Sequence, residues 1–521
     1  MNGLAGASDV ALSPDGAIVV VAGPVDDALA IFRRPTDSSC SSGSDFSGPA
    51  IVLDDVVNVA ADSQIVYLVT GLVDPELCQV YPCTLDLENT ATVSAPTDTN
   101  VADDADTDSD DLSPRADLEI TKTDHISVLQ GISGASALAA SPDGTGVYAT
   151  GLIGDGVAAF TRTPATGALT FIESERDSLG GVDGLNGAAA VVVSSDGAQV
   201  YVAGSTDNAV VAFARDGATN ELTLLELERN GFGGVTGLLG PDGLALSNDG
   251  KHLYAAAAGS SSVAIFGRDG SAASATFGEL DFIGEARDGV DGVDGLALAR
   301  ALVLSPDGAH LYVVGEADNA VAALARDASD GTLDFVEFHT DGVGGVSGLA
   351  GARAVAISPD GAQVYVAGGT ANAVALFTRQ TSNASPDFGK LTFVTAYVDG
   401  AAGVDGLQGA AAVLVSPDPF GSDPGGQHVY VAGRGEDAVA VFARDAITGA
   451  LTWSGAARQG QAGVAGLAGP VALLASPDAQ SLYAAGAGDD AVVTFDRDWD
   501  SGALTGTGAL AFVESDANGH G

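Results

Sequence analysis

The chain has 521 residues, with 69 Asp or Glu against 20 Lys or Arg and a formal charge of −49 at neutral pH. Phosphate-rich partners need clustered Lys and Arg, and the only lysines are Lys122, Lys251 and Lys390, which excludes nucleic acid and anionic membrane surfaces. No apolar run reaches the roughly 18 residues of a membrane span, so no membrane insertion is expected. Apolar residues make up 46% of the chain and are mostly small, and 71 glycines accompany them, a composition suited to a large core of tightly stacked sheets.

In chain order, Gly3-Leu4-Ala5-Gly6-Ala7 leads into an apolar segment and then Ser13-Pro14-Asp15-Gly16. The turn element returns as Ser141-Pro142-Asp143-Gly144, Ser305-Pro306-Asp307-Gly308 and Ser358-Pro359-Asp360-Gly361, with near-copies at Ser194, Ser247, Ser416 and Ser476. Tyr148, Tyr201 and Tyr254 repeat at one interval, as do Tyr312 and Tyr365, so the chain reads as one periodic object. Nine units follow, at about 3–55, 56–131, 132–185, 186–238, 239–296, 297–349, 350–407, 408–467 and 468–516. The second is degenerate and carries an acidic insertion at 97–115.

Each unit holds four short segments rich in Val, Ala, Tyr and Phe, bounded by Gly, Asp, Pro and Asn, which predicts four antiparallel strands. In Ser-Pro-Asp-Gly, Pro presets φ for a type I turn and Gly takes the left-handed position that closes the hairpin. The second hairpin turns at Asp207-Asn208, Asp318-Asn319 or Asp489-Asp490, residues that tolerate positive φ. No segment shows helical periodicity with caps, so minimal helix is expected. Four strands on such a period form one propeller blade. The expected fold is all-β, a single nine-bladed ring closed by blade-to-blade packing without a shared strand. The alternative is a seven-bladed ring plus two N-terminal units.

Cys40, Cys78 and Cys83 all fall in the first two units, and Cys78 and Cys83 flank a short segment that a disulfide could close in an oxidising compartment. An acidic, lysine-poor surface suits saline or calcium-rich surroundings, which points to an extracytoplasmic location although no signal peptide precedes the first repeat.

Three features break the repeat. In the insertion, Asp106, Asp108 and Asp110 alternate like the first half of a calcium loop, although Asp111 stands where such a loop needs Gly. In a meander, the second-hairpin turns and the blade-to-blade loops share one face. That face gathers Asp207, Asp318, Glu436 and Asp489 with Asp183, Asp294 and Asp405, a carboxylate rim suited to Ca²⁺ or to a cationic, carbohydrate or protein surface. Asp in a Gly-rich loop also bonds local backbone, the simpler reading for any one of them. Finally, one innermost-strand position that is small or apolar in other units (Ser136, Ala189, Ala411, Val471) is Asp242, Arg300 and Arg353 in three consecutive units. These could bind a carboxylate or phosphate at the channel mouth, or could form an inter-blade Asp242–Arg300 salt bridge. His252, His310 and His428 alternate with Gln at one repeat position and read as surface residues. No Ser-His-Asp set, phosphate loop or metal-spaced His pair is present, and no organic cofactor is expected.

Ser-Pro-Asp-Gly followed by Val-Tyr-Val-Ala-Gly, as at Ser358 to Gly368, resembles the YVTN-type and lactonase-like (phosphogluconolactonase-like) bacterial propellers along nearly the whole chain. That resemblance implies lactone hydrolysis with His, Glu and Arg near the central channel. Arg300 and Arg353 match in kind, and no His accompanies them. The repeats also look like those of large bacterial surface proteins, in which propellers bind partners. A non-enzymatic, extracytoplasmic propeller with a Ca²⁺-associated acidic face is the function expected first. A hydrolase of a small anionic sugar lactone is the alternative.

Overall fold

In a computed structural model the described residues are 130–417, 426–498 and 507–518, together with the backbone of five earlier strands. The chain forms two compact units, Met1–Ser127 and Val128–Gly521. In the first, strands Asp9–Leu12, Ile18–Gly23 and Ala28–Arg33 make a three-stranded sheet, and Asp86–Thr92 pairs with Ala105–Asp111. The cysteines lie outside the described residues.

The second unit holds seven four-stranded antiparallel sheets, blades 1 to 7, at residues 135–176, 188–229, 241–287, 299–340, 352–398, 410–458 and 470–517. Strands follow one another in simple meander order. Each innermost strand lies beside that of the next blade, and Pro470–Ala475 of blade 7 returns to Ala135–Ala140 of blade 1. The ring is therefore complete with seven blades, and the nine-bladed expectation is corrected. Repeat similarity shows that two earlier units are related to the blades, but it cannot show that they belong to the ring. No strand is shared at the closure, and no helix occurs among the described residues.

The second and third strands of every blade are buried almost throughout, and Val, Ala, Tyr and Phe from adjacent blades fill the space between sheets. Small residues are required here because neighbouring sheets converge toward the ring axis. A Cβ on Gly243 of an innermost strand would come within 2.6 Å of the Arg300 carbonyl in the next blade.

The Ser-Pro-Asp-Gly turns form as their residues dictate. Gly144, Gly197, Gly250, Gly308 and Gly361 sit at φ near +70° (68–72°). Ser Oγ donates to the turn Asp, at 2.5 Å in Ser141–Asp143 and Ser305–Asp307, and accepts the backbone N–H five residues on. This fixes the Asp carboxylate for a second task that periodicity did not reveal.

Each third strand ends in an arginine: Arg162, Arg215, Arg268, Arg326, Arg379, Arg444 and Arg497, all buried. Its Nε donates to the second-strand tyrosine of the preceding blade, as in Arg379–Tyr312 at 2.7 Å and Arg215–Tyr148 at 3.0 Å. At six of the seven junctions among the described residues one amino group reaches the preceding blade's turn Asp, as in Arg379–Asp307 at 2.6 Å, and in every blade the other reaches its own turn carbonyl, as in Arg215–Gly197 at 2.8 Å. The tyrosine hydroxyl donates onward to a carbonyl of the arginine's blade, Tyr312 to Gly389 at 2.6 Å. Burial pushes the Tyr148 phenol up to about 12, which keeps it a donor. His252, His310 and His428 belong to this lock, with Nδ1 facing the arginine at 2.8 Å, 3.1 Å and 3.3 Å. They are buried, which corrects the surface expectation. His and Gln alternate at this position because either presents an acceptor to the guanidinium.

The opposite face has its own latch. The residue at positive φ in each second-hairpin turn accepts a backbone N–H from the next blade: Asp155 from Gly187 at 2.8 Å, Asn319 from Gly351 at 2.7 Å, Asp437 from Gly469 at 2.7 Å. Around the rim, fourth-strand glutamates accept the N–H that opens the next fourth strand, as in Glu173–Leu222 and Glu337–Leu391. The closure between blades 7 and 1 uses all three devices: Arg162–Tyr483 at 2.8 Å, Gly134–Asp490 at 2.6 Å and Leu169–Glu514 at 2.7 Å.

Removing one arginine strands a buried phenol and a turn carboxylate. Arg379→Ala should cost about 3 kcal/mol in chemical denaturation and Tyr312→Phe about 1 kcal/mol.

Two of these carboxylates, Asp249 of a turn and Glu226 of the rim, titrate in opposite senses. At Asp249, burial disfavours the charge, but hydrogen bonds from Ser247 and Arg326 outweigh it and hold the carboxyl down at about 2. Stability from this group is present above the unfolded value near 4 and fades as pH falls toward 2. Glu226 is raised to about 7, by burial first and then by Glu228, Glu279 and Asp281, against a hydrogen bond from Leu280. The folded state keeps its proton where the unfolded chain has lost it, so stability falls as pH rises from about 4.5 to 7. Glu226→Gln retains the acceptor and should flatten the unfolding free energy over that window by about 2 kcal/mol.

Candidate functional site

The face carrying the blade-to-blade loops surrounds one end of the channel, and the three repeat-breaking innermost-strand residues meet there. Arg300 donates from Nη1 to Asp242 of blade 3 at 2.5 Å and from Nε to Glu316 of its own blade at 2.6 Å. Arg353 of blade 5 donates to the other Glu316 oxygen at 2.9 Å. Asp242, Arg300, Glu316 and Arg353 thus form one network across three blades. The expected inter-blade salt bridge is present and belongs to something larger. Arg300 and Arg353 remain 37% and 41% exposed in their side chains, so the guanidiniums stay open to solute at the mouth.

The electrostatics separate the two acids. Burial raises the Asp242 carboxyl although Arg300 opposes the shift, whereas at Glu316 the hydrogen bond and charges of Arg300 and Arg353 outweigh burial and lower it. Glu316 is a clamped anion that positions both arginines. Asp242 is the more basic carboxylate of the pair.

Two residues here were not picked out from the sequence. Glu316 and Arg434 both follow the glycine that ends a second strand, where other blades have Leu152, Ser205, Ala258, Gly369 and Ala487. Aligned on the repeat, these two positions depart from the small or neutral residue of the other blades just as Arg300 and Arg353 do. Arg434 is exposed, has no ion-pair partner among the described residues, and lies toward Gly469 of blade 7.

Outside the mouth, three carboxylate groups recur on alternate junctions: Asp177, Asp183 and Asp207; Asp288, Asp294 and Asp318; Asp399, Asp405 and Glu436. Within each group, carboxylate oxygens lie within 4.8 Å of one another. Asp177 and Asp288 accept backbone N–H groups of Leu185 and Leu296 at 3.1 Å and 3.0 Å, the local backbone role expected of Asp in such loops. Arg229 pairs with Asp183 at 3.0 Å, and Arg458 pairs with Asp405 at 2.7 Å. No described basic side chain pairs with Asp288, Asp294 or Asp318. Of the insertion residues, Asp106, Asp108 and Asp110 lie in the strand Ala105–Asp111, where Asp108 faces Asn89 in register. That backbone is extended and lacks the tight turn of a calcium loop. On the opposite face, a cavity of about 270 Å³ opens beside Asp249, Pro306 and Arg326, but its carboxylates are already committed to the blade locks.

A fold of this kind is well represented among solved structures. A candidate 6-phosphogluconolactonase from Bacteroides uniformis is 20% identical with a TM-score of 0.53, covering 70% of this chain and 93% of its own. Another from Bacteroides fragilis is 21% identical with a TM-score of 0.51, covering 70% and 91%. A periplasmic gluconolactonase from Pseudomonas aeruginosa is 21% identical with a TM-score of 0.49, covering 62% and 85%. No curated protein matches the sequence. The family described as lactonase, seven-bladed β-propeller, matches residues 175–282, 297–397 and 380–516, more than half of the chain and six of the seven blades. By that match the chain belongs to the seven-bladed lactonase propeller family.

Proposed function

We propose that the protein hydrolyses a small anionic lactone at the channel mouth, with the family's sugar lactones as the first substrates to test. The observation that carries this reading is the pairing of Arg300 and Arg353 on Glu316, with both guanidiniums still partly exposed, in a chain whose surface is otherwise overwhelmingly acidic. Family membership favours this hydrolase over the non-enzymatic binding module expected first. Guanidinium donors are suited to a carboxylate or phosphate group and to the oxyanion that develops on the lactone carbonyl. Asp242, raised by burial and oriented by Arg300, supplies the base. It takes a proton from water as the water oxygen bonds to the carbonyl carbon, and the ring C–O bond then breaks as Asp242 returns that proton to the leaving ring oxygen, which releases the hydroxy acid. An extracytoplasmic location is part of this reading and is supported by the acidic, lysine-poor composition. A panel of gluconolactone and its phosphorylated and alkyl analogues tests it. The Arg300→Ala/Arg353→Ala double variant should lose about a hundredfold in kcat/KM while keeping the wild-type far-UV spectrum. Unchanged turnover would remove the mouth from consideration.

A second reading of the same face is carried by the carboxylate group without an arginine. We propose that Asp288, Asp294 and Asp318 hold Ca²⁺, the ion suited to such oxygen donors. Millimolar calcium should then raise the melting temperature, and Asp294→Asn/Asp318→Asn should abolish the rise.

A further inference from the structure

Immediately before each innermost strand, one residue adopts the left-handed conformation. In six blades it is glycine: Gly134, Gly187, Gly240, Gly351, Gly409 and Gly469, at φ between 56° and 70°. In blade 4 it is Leu298, at φ 53°. A leucine there is strained relative to glycine, and such strain persists where something else requires the side chain. Leu298 gains no core contact in exchange, since it is 39% exposed. It lies two residues from Arg300, and its carbonyl accepts the Glu316 N–H at 3.1 Å, so it borders the mouth network directly. Its own N–H pairs with Ser261 at 3.2 Å, at the tip of the blade 3 turn. Leu239 flanks the same turn from the other side: its Cβ lies 3.2 Å from where a Cβ on Gly259 would stand, and it is 43% exposed.

We infer that Leu298 and Leu239 form an apolar lip that sets the specificity of the mouth for an amphipathic ligand, a lactone or hydroxy acid whose ring or chain carries an alkyl substituent. This inference rests on the mouth being the lactone site and narrows the substrate class. A polyhydroxylated sugar lactone would bring hydroxyl groups against two leucines that cannot pair with them. An alkyl substituent leaves the lactone carbonyl, or the carboxylate of the ring-opened acid, on Arg300 and Arg353 while its chain covers the lip.

The test restores the glycine of the other six blades. Leu298→Gly relieves the backbone, so the melting temperature should rise by about 2 °C. The ratio of kcat/KM for γ-decalactone to that for γ-valerolactone should fall about tenfold. Calorimetry with the ring-opened 4-hydroxydecanoate and with gluconate reports binding independently of turnover. A higher melting temperature with an unchanged ratio would overturn the lip, as would tighter binding of gluconate than of 4-hydroxydecanoate to the wild type. If 4-hydroxydecanoate binds in a Leu298-dependent way and no lactone is hydrolysed, the lip stands and the hydrolase reading falls. If gluconolactone is hydrolysed through Arg300 and Arg353 with no alkyl preference, the hydrolase stands and the lip falls. If neither acid binds and no lactone turns over, both fall.

Discussion

The ring depends on a guanidinium buried between two sheets. Apolar blades stacked face to face could slide or tilt against one another, because dispersion and hydrophobic burial have little directional preference. The arginine at the end of each third strand removes that freedom. It ties a phenol, a carboxylate and a carbonyl drawn from both blades into one planar arrangement that only one register satisfies. A buried charge is weak support for stability on its own and is better suited to specifying geometry. Here the buried arginine–tyrosine bond recurs at every junction, and the Ser-Pro-Asp-Gly turn exists partly to present a carboxylate to it.

That use of arginine also shapes the electrostatics of the molecule. Seven of the basic residues are hidden in the locks, and the fourth-strand arginines Arg229 and Arg458 neutralise acidic groups at the rim. Little positive charge is left for the exterior, so Arg300, Arg353 and Arg434 stand out against a strongly negative surface.

The blade was legible in the sequence because local chemistry dictates it: proline and glycine set the turns, and alternating small apolar residues set the strands. The number of blades in the ring was not, because closure is decided by Asp490, Tyr483 and Asp478 meeting Gly134 and Arg162 across the full length of the ring, and each of those residues looks like any other copy of its repeat. The mouth was half legible. Arg300, Arg353 and Asp242 break a pattern inside one strand position, whereas Glu316 sits in a turn where every blade differs. Exchange of His with Gln at one repeat position does not mark exposure; it reflects a shared ability to accept a hydrogen bond from a buried arginine. Leu298 was invisible for another reason: only the backbone conformation shows that a leucine stands where glycine belongs.

The junction between blades 7 and 1 carries the same arginine–tyrosine bond and the same hairpin latch as the other six, with no strand donated across it. The ring consequently has no seam in any chemical sense. The polypeptide's start and finish within it fall at a junction that could equally have been any other, and a gene cut and rejoined between blades would encode the same set of contacts in a different order. Blades are alike as structural units, and the differences that gather charged side chains at the mouth lie in a few positions of three neighbouring blades. Such a ring can acquire new chemistry by altering three or four positions while its architecture, held by the identical locks, takes no part in the change.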